Sequence, residues 1–147
     1  MAIELWKDVV IPLVNGIVPA SIVGAWLYHK GQRDNAVEAL IRCVDIMAEK
    51  GIEYWNTPET DHRIRLLSSQ IKHISARIGL DLLELTRTYH SFRFGKKNLY
   101  LLTAFRKSIT DGDFEVATRV IDANRGTAIE QRRTDIVCAI RRAKKII

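Results

Sequence analysis

Hydrophobic and polar positions follow two regimes along this chain. From Val9 to Tyr28, twenty residues pass without a charged side chain. At the helical rise such a run spans about 30 Å, the hydrocarbon thickness of a bilayer. Trp6, Lys7 and Asp8 flank one end, and Trp26, Tyr28, His29 and Lys30 the other, the aromatic and charged rims of a membrane-spanning helix. The run predicts an anchor over residues 1–30. The competing reading is a buried core helix, because Pro12, Asn15 and Pro19 dilute its hydrophobicity. A cleaved leader fits less well, since the residues before the run are mixed in sign.

Beyond Lys30 the pattern becomes amphipathic. Ala36, Leu40, Cys43, Met47 and Trp55 keep helical spacing and predict a helix from Gln32 to Tyr54, with Gly31 as a joint. Thr57 and Pro58 read as the cap and first position of the next helix. There Ile64, Leu67, Ile71, Ile74 and Ile78 form a two-heptad seam, the contact face of an antiparallel bundle or an oligomer. Gly79 is expected to end that helix and Asp81 to cap another, running through Leu82, Leu83, Leu85, Tyr89 and Phe92. Gly95-Lys96-Lys97 marks a turn. Leu99–Ile109 reads as a helix stopped by Asp111-Gly112-Asp113. A final helical region starts near Phe114 and breaks once at Asn124-Arg125-Gly126-Thr127. No segment alternates with period two for long enough to form a strand. Residues 31–147 are therefore expected to be an all-α bundle following a transmembrane helix.

Charge changes this picture. The formal net charge is +6, yet residues 1–28 carry only Lys7 against Glu4 and Asp8. The remainder holds 22 basic and 15 acidic side chains, a balance that suits an acidic partner such as nucleic acid, a nucleotide or lipid headgroups. Lys30, Arg33 and Arg42 follow the apolar run, which orients a span with its C-terminus in the cytoplasm. Ten basic residues lie between His62 and Lys107, opposed only by Asp81 and Glu84. Among them Arg63, Lys72, Arg77, Arg87, Arg93, Lys96 and Lys97 are the candidates for binding RNA, an oligonucleotide or another acidic ligand. Tyr89, Phe92 and Phe94 are interleaved as possible base-stacking rings. The alternative is a solvated helix face with core aromatics.

Within the apolar run, Gly16, Ala20 and Gly24 recur every four residues, with Asn15 beside them. Small residues on one stripe let helices approach closely in lipid, and a polar asparagine there must bond a neighbour or face water. These four residues are the candidates for helix association in a homo-oligomer, and for lining a pore.

Enzymatic chemistry finds little support. His73 with Arg77, and Arg87 with His90, offer acid/base and phosphate-binding types. Neither pair has the four to six intervening residues of the arginine–histidine motif in all-helical RNases. No residues reach metal-site spacing, and no phosphate loop or nucleophile elbow occurs. No catalytic residue, metal or cofactor is assigned. Cys43 and Cys138 lie in hydrophobic helical patterns and read as reduced core residues.

The segments Trp6–Pro12 and Trp26–Lys30, followed by a helical domain, resemble in layout small single-span antiphage effectors of bacteria. Among these the layout is similar to the membrane-anchored accessory proteins of type VI-B CRISPR systems, which assemble as ring-shaped pores. It also resembles span-plus-sensor channels gated by oligonucleotide messengers. The resemblance implies a non-enzymatic, homo-oligomeric membrane effector of antiviral defence. Such an effector forms or gates a pore when a nucleic-acid-derived signal arrives, and its partners are itself, lipid, an RNA or oligonucleotide ligand and another defence protein. A membrane-tethered adaptor is the second reading and a helical metal-independent RNase the third.

Overall fold

A computed structural model describes residues 11–58, 62–90, 92–112, 114–116 and 121–144, with side chains for all of these except 11–20 and 123. Among the described residues the chain is all-helical and has no strand. Four helices follow in order: α1 (Ile11–Asn56), α2 (Arg63–Thr88), α3 (Lys96–Thr110) and α4 (Ala123–Lys144). Contacts divide the chain into two units at Asn35 and Ala36.

In the first unit, every residue from Ser21 to Gln32 is exposed. The ordering contacts described there are local: Lys30 Nζ lies 4.9 Å from the Trp26 ring centroid, and Gln32 Nε2 donates to the Tyr28 hydroxyl at 2.9 Å. Among the described residues, no helix is long and apolar enough to cross a membrane. The span expected over Val9–Tyr28 begins outside the described residues. The side chains of 11–20 are outside them too. Past Tyr28 the helix turns polar, with Lys30, Arg33, Asp34 and Glu38. The expected joint at Gly31 is absent, because α1 is continuous through it. One glycine costs a helix only about 1 kcal/mol, which its long helical flanks absorb.

The second unit holds the core. From α1 it takes Val37, Leu40, Ile41, Val44, Met47, Ala48, Tyr54 and Trp55, in the 3/4 spacing that puts side chains on one face. The isoleucine seam of α2 packs inward, with Leu67, Ile71, Ile78, Leu82 and Leu85 buried and Ile64 and Ile74 partly so. Of its two expected roles, the bundle contact is the one realised. Leu102, Phe105 and Ile109 of α3 and Ile129, Ile136, Val137 and Ile140 of α4 complete the core. Arg133 of α4 ties back to Asp45 of α1 at 2.8 Å and to Glu130 at 2.8 Å, and these carboxylates raise its guanidinium pKa.

Four expected boundaries move, the first at α3, which starts at Lys96 inside the expected turn rather than at Leu99. The next described helix starts at Arg63 rather than at Pro58, and the Thr57 hydroxyl donates to the Glu53 carbonyl at 2.7 Å at the end of α1. Gly79 does not end α2, which runs on to Thr88, so Asp81 sits mid-helix and pairs with Arg77 at 3.7 Å. The glycine serves packing, since a Cβ there would lie 3.2 Å from Arg106 Nη2, which donates to the Ser75 carbonyl at 2.6 Å. Lastly, Asn124–Thr127 opens α4 rather than breaking it. The Asp122 carboxylate accepts the N–H groups of Asn124 at 3.1 Å and Arg125 at 3.2 Å, an N-cap that makes this polar run a helix start. Phe114 and Glu115 form a turn, and Val116 and Ile121 are exposed and non-helical.

Candidate functional site

The seven basic candidates are all exposed, and the fold sorts them into two groups. Arg63, Lys72 and Arg77 lie along α2 and are engaged within the chain. Arg77 pairs with Asp81, and Lys72 Nζ donates to Glu115 Oε2 at 2.6 Å. The other four, Arg87, Arg93, Lys96 and Lys97, cluster by sequence around the α2–α3 connection, and no ion pair engages them among the described residues. Arg106 does not belong to this surface. It is partly buried, burial lowers its pKa, and its guanidinium is committed to the Ser75 carbonyl.

The α2–α3 connection owes its shape to two aromatic side chains. Phe92 and Phe94 are buried, with rings stacked nearly parallel at 6.2 Å, and the Phe92 N–H donates to the Tyr89 carbonyl at 2.8 Å. These rings are core, so they do not serve as the base-stacking platform expected of them. Alternation does the rest: with Phe92 and Phe94 turned inward, Arg93 between them is turned outward. Gly95 then begins α3 with no side-chain cap and no acidic residue in the first turn. The first N–H groups of a helix lack intrahelical acceptors and carry partial positive charge. This corner therefore joins a helix N-terminus to four free cationic side chains, an arrangement suited to phosphate or carboxylate.

Lys72 has a different fate. Glu115 adopts a left-handed backbone at φ 66°, rare outside glycine and asparagine. Its N–H donates to the Tyr54 hydroxyl at 2.9 Å, and its carboxylate accepts Ser68 Oγ and Lys72 Nζ. The Lys72 hydrogen bond, then that of Ser68, holds the Glu115 pKa below the usual carboxylate value. Glu115 is thus an acidic neighbour that lies outside the basic stretch, 43 residues from Lys72, yet neutralises part of it.

Of the four association candidates in the apolar run, Asn15, Gly16 and Ala20 lie outside the described side chains. Gly24 is exposed, and a Cβ placed on it would meet nothing within 4 Å. Around it, Ile22, Val23, Trp26, Leu27 and Tyr28 are 53–65% exposed. Five large apolar side chains within two helical turns form a patch of a kind that folded monomers seldom leave uncovered.

His73 and His90 are exposed on α2 and its connection. Cys43 is half-buried, and Cys138 is exposed rather than in the core, because its position on α4 lies opposite the buried Ile136, Ile140 and Ala143. Among the described residues no group of His, Cys, Asp or Glu could hold a metal ion. No protein family, curated protein or solved structure matches this chain.

Proposed function

We propose that this chain is a membrane-anchored, non-enzymatic effector that self-associates through its N-terminal helix and receives an acidic, nucleic-acid-derived signal at the α2–α3 corner. The exposed apolar side chains of the N-terminal helix are the observation that carries the reading. The helix from Ile22 to Tyr28 offers large apolar side chains that are 53–65% exposed around its circumference, and it continues an uncharged run that starts at Val9. A helix that is apolar all round needs a hydrocarbon or protein environment. Gly16, Ala20 and Gly24 supply the small-residue spacing for helix association there, and Asn15 the polar group for an aqueous axis. Free cations at the corner supply the receiving surface. Opening or closing of a pore is the proposed output, placing the protein at a bacterial inner membrane with its helical domain in the cytoplasm.

Vesicle flotation and dye release test this. Full-length protein is expected to float with anionic vesicles and release an entrapped dye. Ile22→Asp with Leu27→Asp is expected to abolish both while leaving the helical circular dichroism of the domain intact. Wild-type protein that stays at the bottom of the gradient overturns the anchor. Flotation without dye release leaves the tethered-adaptor reading in its place.

A further inference from the structure

The outer face of α2 carries an apolar stripe that the core does not use. Leu66, Leu80 and Leu83 are 59%, 67% and 66% exposed. With the exposed Ser69, His73 and Ala76 they repeat at alternating steps of three and four, the spacing of one side of a helix-pairing seam. Their stripe lies opposite the buried Leu67, Ile71, Ile78, Leu82 and Leu85. Leucine at three of six seam positions is more than a solvated face requires.

We infer that this face docks against the same face of a second copy of the chain, with the two α2 helices antiparallel and Leu80 of one copy packed on Leu83 of the other. Charge at the edges of the stripe selects both occupant and direction. One edge carries Arg77 and Glu84, one heptad apart; the other carries Lys72, Gly79 and Thr86. In an antiparallel pair like edges meet, so Arg77 faces Glu84 of the second copy, and two-fold symmetry makes that ion pair twice. In a parallel pair unlike edges meet, which sets Arg77 against Lys72 of the second copy, a cation already held by Glu115, and leaves Glu84 facing Gly79, so neither charge gains a partner. The stripe is thus self-complementary in one direction and leaves its charges unmatched in the other. Arg77 is available for this pairing, because its link to Asp81 is long at 3.7 Å and exposed. The contact adds a second, membrane-independent site to the self-association proposed above, and its charge-swap variants leave the anchor's residues unchanged.

The test is a charge swap in the full-length chain, read as protein mass against concentration in detergent micelles. Arg77→Glu and Glu84→Arg are each expected to weaken association at least tenfold, by placing like charges face to face twice. The double variant restores opposite charges and is expected to recover wild-type association. Both positions are exposed, so helical circular dichroism should be unchanged in all three. Single variants that associate like the wild type, a double variant that fails to recover, or a wild-type chain with no concentration-dependent association each overturn the contact. Vesicle flotation of the same variants reads the anchor separately and is expected to be unaffected.

Discussion

The guanidinium carbon of Arg125 lies 4.1 Å from the centroid of the Trp55 ring, and both side chains hold the end of the same helix. Trp55 Nε1 donates to the Ile109 carbonyl at 2.8 Å. Arg125 Nε donates to the Ser108 carbonyl at 3.1 Å, and its Nη2 donates to the Asp111 carbonyl. These acceptors are the terminal carbonyls that α3 cannot satisfy internally, and a cation beside them also opposes the negative end of the helix. α1 comes close here as well: a Cβ on Gly51 would lie 2.9 Å from the Ile109 side chain. The start of α4, the end of α1 and the end of α3 are therefore tied at one point.

Removing either member of this clamp is expected to destabilise the domain. Trp55→Phe keeps a ring but leaves the Ile109 carbonyl without its donor, an expected loss of about 1–3 kcal/mol. Arg125→Ala removes the stacked cation and two donors. Because each residue positions the other, the double variant should lose less than the sum of the singles, by about 0.5–1 kcal/mol. Urea unfolding of the four proteins measures this. Strict additivity would show that ring and guanidinium act independently.

Acid should weaken the Glu115 node. Its folded-state pKa is lowered by the Lys72 and Ser68 hydrogen bonds. A lowered carboxylate pKa contributes stability that is present above the unfolded value and lost as pH falls through the folded one. Glu115→Gln is therefore expected to lower Tm at neutral pH, with the gap to the wild type closing as pH falls through and below the ordinary carboxylate range. A gap that stays constant from neutral to strongly acidic pH would assign the effect to the left-handed backbone instead of the charge.

At the α2–α3 corner, Arg93→Glu with Lys96→Glu should weaken binding of a short oligonucleotide. The dependence of log Kd on log salt should flatten by roughly one unit for each phosphate no longer neutralised. Arg63→Glu, on a cation outside the corner, should change binding little. Isothermal titration of the three proteins at two or more salt concentrations decides this. An equal weakening by both variants would mean that the domain acts through net charge alone.

Much of this architecture was legible in the chain. Apolar residues at steps of three and four named the inward faces of α2 and of the second half of α1, because burial on one side of a helix imposes that period. Asp111 marked the end of α3 through backbone propensities that act within a few residues, while its start fell at Lys96, inside the expected turn and before the expected Leu99. Boundaries failed where a side chain, distant or just upstream, changed what a local signal meant. Gly79 reads as a stop, but Arg106 of another helix uses the missing Cβ as space. The Asn124–Thr127 run reads as a break until Asp122 caps it.

The candidate surface divides in the same way. Composition alone determined that this part of the chain is basic and that residues 9–28 are uncharged. Which cations stay free was decided by the tertiary structure. Folding brings Glu115 onto Lys72 from 43 residues away and sinks the Arg106 guanidinium, while Phe92 and Phe94 leave the surface for the core. The physical reason is that charge and hydrophobicity belong to single residues, whereas neutralisation, burial and exposure belong to pairs of segments, and only packing chooses the pairs.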